Sequence, residues 1–279
     1  MTHPAVTVRV RLPSAADVDL AADALWRAGA VAIEEREASE GLVLIAGVAA
    51  GGDTEPLLAA VAGRWPAELV PVDLDAAVDA WRDHARLVEV GDRLVVRPPW
   101  ARPSPRASGR IELVIDPGRA FGSGAHPSTR LALAALERSL VGDARVLDAG
   151  CGSGVLAIAA LRLGASRATG IDVDPAALDA TRRNAERNGV LDRLSVSDAS
   201  VDHVAATRGP FELVLANMLL PQLVALAGPL RAALAPGATL VLSGVLTEQR
   251  RPLLAAYAPL EPAAEQADEG WLAVTFPAR

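Results

Sequence analysis

The stretch Ala144-Arg-Val-Leu-Asp-Ala-Gly-Cys-Gly-Ser-Gly154 decides how the larger part of this chain folds. Its apolar run ends in Asp148 and three alternating glycines, a pattern that predicts a strand turning sharply into a helix. Glycine allows the backbone at such a turn to approach a ligand closely, because it has no Cβ. The next predicted strand ends in Asp172, 22 residues after Gly150, where a carboxylate can accept hydrogen bonds from ribose hydroxyls. The stretch therefore predicts a site for a ligand that contains a nucleoside.

Two classes of ligand fit this turn. The spacing Gly152-x-Gly154-x-x-Ala157 satisfies the dinucleotide pattern G-x-G-x-x-G/A, so a NAD-linked oxidoreductase is one interpretation. The glycine frame that begins at Gly150 and follows Asp148 instead resembles the first motif of the class I S-adenosylmethionine-dependent methyltransferases. The turn alone leaves both interpretations open.

Length and composition limit the remaining possibilities. The 279 residues suffice for one large or two ordinary domains, and 51% of them are hydrophobic, as expected of a globular protein. We find no signal-peptide pattern and no apolar run long enough to cross a bilayer, so we expect a soluble, cytoplasmic protein with no membrane partner. Cys151 is the only cysteine and the four histidines are scattered, which excludes disulfides and predicts no metal site.

Charge is distributed unevenly along the chain, which contains no lysine. Residues 1–75 hold 5 arginines against 12 acidic residues, a net charge of −7, whereas residues 76–279 hold 22 of each. An acidic segment repels nucleic-acid phosphates and attracts a basic partner, although a solvated acidic surface is an equally simple explanation.

The order of predicted elements divides the chain into three parts. Residues 1–75 follow the order βαββαβ of a ferredoxin-like domain, and their strands lack the aromatic residues with which such sheets stack RNA bases. We therefore expect this domain to dock a protein rather than to bind nucleic acid sequence-specifically. Residues 76–110 contain several prolines and predict an interdomain linker, with a short helix around residues 76–84 and a strand around residues 94–97. Residues 111–279 alternate strands and helices, which predicts a doubly wound α/β domain.

Seven strands are predicted in this last part, and the final two form a closing pair. A seven-stranded sheet of this kind suits a methyltransferase better than the six-stranded dinucleotide fold. The predicted strands cover residues 145–149, 168–172, 194–197, 211–216, 238–243, 260–264 and 271–276.

Several motifs outside the glycine turn (Gly150–Gly154) point to one family. They are Asp116-Pro-Gly-Arg-Ala-Phe-Gly-Ser-Gly-Ala-His-Pro-Ser-Thr129, Gly170-Ile-Asp-Val-Asp-Pro175, Asn184-Ala-Glu-Arg-Asn-Gly189, Ala216-Asn217 and Leu242-Ser-Gly-Val245. Together with the glycine turn they resemble the bacterial methyltransferases of ribosomal protein L11, and Trp81-Arg-Asp-His84 in the predicted linker agrees. The resemblance implies S-adenosylmethionine as cofactor, a rear domain that binds it, and a front domain that recognises a basic protein of the large ribosomal subunit.

The same resemblance assigns cofactor contacts to Thr129, Gly150, Asp172 and Asn217. Asp172 is expected to hold the ribose, because Asp174 precedes Pro175 and is the better helix cap. Thr129 or Ser128 could instead cap the helix that begins there.

Asn217 is predicted to end the fourth strand, at the sheet edge where open α/β folds bind ligands. Its amide offers an acceptor and a donor, so it can hold the cofactor or orient an incoming amine, and we take it as the candidate catalytic residue. Weaker candidates for cofactor contacts are Gly152, Phe121, Asp148 and Asp198. Asp148 is expected to brace the turn or to face the cofactor's ammonium group, and Asp198 to accept a hydrogen bond from the adenine amine. For His126 we expect a role in bracing its loop, with a general base as the alternative.

The predicted reaction is N-methylation of lysine side chains and N-terminal amines on a basic ribosomal protein. Three alternatives remain at this point. The first is a methyltransferase that acts on RNA, on another protein or on a small molecule. The second is a NAD-linked oxidoreductase, and the third is a protein that binds the cofactor without turnover.

Overall fold

The computed structural model describes residues 6–14, 17–30, 32–38, 41–48, 52–71, 87–103, 109–116 and 122–277. Contacts between Cα atoms divide the chain into two compact units, residues 1–83 and 84–279. In the described residues, no helix combines the length and the apolar character needed to cross a membrane.

The first unit contains the predicted βαββαβ order. Strand β1 lies in the centre of a four-stranded antiparallel sheet with the order β2-β3-β1-β4, which is the ferredoxin-like arrangement. Alternate residues of β1, from Val8 to Leu12, are buried beneath the two helices, as its sequence pattern predicts. Its elements are β1 (Val6–Leu12), α1 (Val18–Arg27), β2 (Ala32–Ala38), β3 (Gly41–Gly47), α2 (Glu55–Val61) and β4 (Ala67–Pro71).

The second unit begins with a small three-stranded sheet. It comprises β5 (Val88–Val90), β6 (Leu94–Arg97) and β7 (Ile111–Val114). Leu94 and Val96 of β6 are fully or almost fully buried in the core of this unit, where they pack together with Leu133. This packing differs from the prediction that residues 76–110 only space two domains. The short helix predicted around residues 76–84 and the Trp81–His84 motif lie outside the described residues.

The second unit continues with a seven-stranded sheet in the order β10-β9-β8-β11-β12-β14-β13. Its strands are parallel except for β14, which is antiparallel to both of its neighbours. The doubly wound seven-stranded fold predicted from the sequence is thereby confirmed. Its strands are β8 (Arg145–Ala149), β9 (Arg167–Ile171), β10 (Leu194–Ser197), β11 (Phe211–Asn217), β12 (Leu234–Leu246), β13 (Ala264–Asp268) and β14 (Trp271–Pro277).

Seven α-helices connect and cover these strands in the described part of the second unit. Helix α4 is buried over most of its length between the sheet and its neighbours, as its almost entirely apolar sequence requires. The helices are α3 (Pro127–Ser139), α4 (Val155–Leu163), α5 (Pro175–Arg187), α6 (Val201–Arg208), α7 (Leu220–Ala225), α8 (Ala227–Ala232) and α9 (Arg250–Tyr257).

The sixth strand of the sheet is the one that the sequence misplaces. We predicted it at residues 260–264, but β13 covers Ala264–Asp268. Pro262 lacks the N–H that a ladder needs, and an edge strand with one paired side does not have to be apolar. The hydrophobic pattern therefore favoured the wrong segment.

Candidate active site

The glycine turn lies where the sheet order reverses, between β8 and β11. Open α/β sheets bind ligands at this position, at the carboxyl ends of the strands. Gly150 N donates to the carbonyl of Ile171 at 2.8 Å, and Gly150, Gly152 and Gly154 all have positive φ angles, 71°, 54° and 80°. A Cβ on Gly150 would lie 2.8 Å from Sδ of Met218. The turn thus requires glycine for both its conformation and its close packing.

Asp172 follows β9 and lies beside the turn. Its Oδ2 accepts from Gly152 N at 2.9 Å, and its Oδ1 accepts from Asp174 N at 3.0 Å. A carboxylate has about four acceptor positions, so about two remain for a ligand. Asp174 itself caps α5 by accepting from Ala176 N at 2.9 Å, as predicted. Asp172 is therefore available to the cavity that it lines, and its contact with a ribose stays a prediction.

Asn217 ends β11 and also lines the cavity. Its Nδ2 donates to Oγ1 of Thr129 at 3.3 Å, whereas its Oδ1 is buried and has no hydrogen-bond partner among the described residues. Leaving a buried acceptor unpaired costs about 1–3 kcal/mol, so this oxygen is suited to accept from a ligand. Gly244 permits the arrangement, because a Cβ there would lie 2.8 Å from Oδ1 of Asn217.

The N-terminal end of α3 contributes Thr129, and the residue that precedes the helix is His126. The N-cap of α3 is His126, whose Nδ1 accepts from Ser128 N at 3.3 Å, so the alternative in which Ser128 or Thr129 caps the helix is wrong. Thr129 is fully buried and contacts Asn217 instead. The ring of His126 packs edge-on against Trp271, with 4.7 Å between centroids, and burial lowers the pKa of His126. These contacts support the bracing role for His126.

Asp148 is fully buried beneath the turn. Its Oδ2 accepts from Ala157 N at 3.0 Å and thereby holds the first turn of α4, while its Oδ1 has no partner among the described residues. Burial raises the pKa of Asp148 to about 7, opposed by the bond from Ala157 and assisted by the charge of Asp172. Of the two roles predicted for Asp148, these contacts support bracing.

The cavity at this edge of the sheet has a volume of about 680 Å³, within the usual range for small-molecule sites. The lining also includes the apolar residues Met218, Leu219 and Trp271, none of which was predicted from the sequence as a site residue. Asp198 is exposed and is not among the lining residues, although residues 199–202 are. Phe121 lies outside the described residues. The cavity lining includes Gly122, His126, Gly150, Gly152, Asp172, Asn217, Met218, Leu219, Gln222, Gly244 and Trp271.

The chemistry of these groups fits S-adenosylmethionine. Asp172 has acceptors to spare for two ribose hydroxyls, Gly150 and Gly152 of the glycine turn line the cavity, and Asn217 presents a buried acceptor. No group of three metal-binding side chains occurs within the ranges that the structure describes. The fold and the site together define a class I S-adenosylmethionine-dependent methyltransferase.

Comparisons with known proteins specify the family. The model of the ribosomal protein L11 methyltransferase (PrmA) family matches residues 69–279. The chain is 42% identical over 242 residues to the ribosomal protein L11 methyltransferase of Chromohalobacter salexigens, covering 80% of this chain and 77% of the relative. It is also 42% identical over 204 residues to the protein of that name from Geobacter sp., covering 70% and 65%.

Among solved structures, the chain is similar to the ribosomal protein L11 methylase of Lactobacillus delbrueckii subsp. bulgaricus. The TM-score is 0.64 at 28% identity, and the match covers 70% of this chain and all of that one. The chain belongs to the ribosomal protein L11 methyltransferase family. This result decides against the NAD-linked oxidoreductase that the glycine turn alone left open.

Proposed function

We propose that this chain transfers methyl groups from S-adenosylmethionine to amine nitrogens of ribosomal protein L11, namely lysine side chains and the N-terminal amine. The observation that carries the proposal is the unpaired, buried Oδ1 of Asn217 at the end of β11, beside the glycine turn. The substrate is supported by the names of the relatives, which are 42% identical to this chain.

S-adenosylmethionine supplies a methyl group on a positively charged sulfur, so the leaving group is neutral and needs little acid catalysis. The chain's main contribution is to fix the positions of the reactants. Positioning of this kind can lower a barrier by about 7–11 kcal/mol. Asp172 is proposed to bind the ribose, and Gly150 and Gly152 to form the surface beneath the donor.

An attacking amine must be neutral, because an ammonium group has no lone pair. A lysine side chain has an unperturbed pKa of about 10.4, and an apolar environment lowers it by disfavouring the charged form. Met218, Leu219 and Trp271 are apolar residues of the cavity lining and are proposed to supply such an environment. The Oδ1 of Asn217 is positioned to accept from an amine N–H and so to direct its lone pair.

The hydrogen bond from Asn217 Nδ2 to Thr129 explains why one end of the amide is oriented and the other is free. Thr129 is fully buried in α3, so its hydroxyl is a fixed acceptor. With Nδ2 fixed in this way, Oδ1 is the end available to the substrate. Thr129 is therefore proposed to act on the substrate through Asn217 rather than by direct contact.

The first unit is proposed to bind the substrate protein. The net charge of −7 in residues 1–75 complements a basic ribosomal protein and opposes binding of ribosomal RNA. A cytoplasmic location stays a prediction of the sequence.

The proposal is tested by incubating the purified chain with methyl-labelled S-adenosylmethionine, separated ribosomal proteins and ribosomal RNA. We expect label on amine nitrogens of L11 alone, and we expect Asn217→Ala to reduce kcat by at least about tenfold, the effect of one lost hydrogen bond to a positioned group. Gln222→Ala is the matched control, since Gln222 also lines the cavity but its Oε1 accepts from Leu219 N within its own helix. Label in RNA, or equal kcat for both variants, would refute the proposal.

A further inference from the structure

Helix α5 and its C-cap residue, Asn188, bury three polar side chains on one face. Thr181 and Asn184 are 0% exposed and Asn188 is 6% exposed, and their spacing of three and four residues places them in line along the helix. Burying a polar group is unfavourable unless it is hydrogen-bonded. Such a row on a helix that faces the core therefore requires definite partners.

Asn184 uses its whole hydrogen-bonding capacity. Its Nδ2 donates to the carbonyls of Asp116 and Ser153, both at 2.9 Å, and its Oδ1 accepts from Asp116 N and from Nη1 of Arg187, both at 3.0 Å. An amide side chain offers two donors and two acceptor lone pairs, so none remains for a ligand. Asn184 consequently acts on the backbone around it.

Thr181 binds the carbonyl of Gly152, the residue that precedes the Ser153 bound by Asn184. Its Oγ1 donates to the carbonyl of Gly152 at 2.9 Å, and a Cβ on Gly154 would lie 2.8 Å from Cγ2 of Thr181. The carbonyl oxygens of Gly152 and Ser153 are thus both held against α5. Their lone pairs are kept away from the cavity, where they would repel the carboxylate of an amino acid ligand.

Asn184 also links the turn to Asp116, which it binds through both N–H and C=O. Within the turn, Oγ of Ser153 donates to the carbonyl of Gly122, a lining residue, at 2.6 Å. The turn is therefore joined to Asp116 through Asn184 and to Gly122 through Ser153.

We propose that Thr181 and Asn184 form a polar clamp, a pair of positioning residues on α5 that holds the glycine turn against the helix and against Asp116, in the arrangement that binds the methyl donor. This inference rests on the proposed function, because it takes the ligand of the cavity to be S-adenosylmethionine.

Asn188, the C-cap residue of α5, provides a matched control. It binds Val114 through both N–H and C=O, at 2.9 and 2.8 Å, just as Asn184 binds Asp116, and its Nδ2 also donates to the carbonyl of Asn184. It makes no hydrogen bond to the glycine turn. Replacing either asparagine by aspartate removes two donors at a buried position, but only Asn184→Asp releases the turn.

The test is the calorimetric affinity of the full chain for S-adenosylhomocysteine, measured beside the midpoint of thermal unfolding. We expect Asn184→Asp to raise the Kd by about tenfold or more, and Asn188→Asp to stay within about threefold of the parent at a similar loss of thermal stability. Equal Kd values for the two variants would show that Asn184 only stabilises the fold and would overturn the proposal.

A second pair decides the matter if Asn184→Asp does not fold. Thr181→Val keeps the shape but removes the hydroxyl, so we expect a higher Kd, whereas Thr181→Ser keeps the donor and is expected to restore binding. Equal affinities for both would overturn the proposal. A parent chain that fails to bind S-adenosylhomocysteine would instead refute the proposed function itself.

Discussion

Replacing Asp172 by alanine tests the proposed contact between this carboxylate and the ribose of the methyl donor. Two of its acceptor positions are taken by Gly152 N and Asp174 N, at 2.9 and 3.0 Å, and the other two are proposed to accept from ribose hydroxyls. A hydrogen bond to a charged group contributes about 1.5–3 kcal/mol, so losing two such bonds is expected to cost about 3 kcal/mol or more. At about 1.4 kcal/mol per factor of ten, the Kd for the donor should rise at least about 100-fold.

Asp174→Ala is the control for this measurement. Asp174 lies two residues away, is also exposed to the cavity, and caps α5 through Ala176 N. Losing a helix cap typically costs about 1 kcal/mol of stability. Calorimetry with S-adenosylmethionine should therefore find a large loss of affinity for Asp172→Ala and a small one for Asp174→Ala, which should instead unfold more easily. If Asp172→Ala binds the donor as tightly as the parent, the reasoning about the site is refuted.

Three further perturbations test other parts of the account. Gly244→Ala should reduce kcat at least about tenfold, because the added Cβ meets Oδ1 of Asn217 and adjacent backbone. Gly237 also has a positive φ, but a Cβ there would meet nothing within 4 Å, so Gly237→Ala should only reduce stability, by about 1–2 kcal/mol. Equal kcat values for the two variants would contradict this reasoning. Asp148→Asn should become more stable relative to the parent as the pH rises from about 4 towards 8, measured by denaturant titration. The folded-state pKa of Asp148, about 7, lies above its unfolded value of about 3.9, so ionisation of this buried acid destabilises the folded parent over that window. A stability difference that does not change with pH would contradict the raised pKa. Removing residues 1–83 should leave calorimetric binding of the donor intact and abolish methylation of L11, and retained methylation would refute the role proposed for the first unit.

The sequence predicts the scaffold of the site well, because short-range patterns determine it. Asp148 to Gly154 and Asp172 are placed by a strand, a tight turn and a returning strand whose lengths are fixed by geometry. The division of roles between Asp172 and Asp174 could also be predicted, since Pro175 identifies the start of a helix. These residues owe their positions to neighbours in the chain.

Long-range contacts explain what the sequence could not predict. Trp271 reaches the cavity only because β14 lies antiparallel beside β12, and its contact with His126 joins residues 145 positions apart. Thr129 could not be distinguished from a helix cap until His126 was seen to take that role.

Two buried asparagines carry a signal that was not used to predict the fold. Asn184 lies in α5, whose other buried residues are mainly alanines, and Asn188, four residues further on, is the C-cap of that helix. Two amides at this spacing on a buried face predict partners elsewhere in the fold, although the sequence does not say that these partners are Asp116 and Val114.

The most direct test of the central claim is an experimental structure of this chain bound to S-adenosylhomocysteine. We expect both ribose hydroxyls within about 3 Å of the Asp172 carboxylate, and we expect the bound ligand to leave Oδ1 of Asn217 available to the substrate amine. A ribose bound away from Asp172, or a ligand that leaves the glycine turn uncovered, would contradict the account.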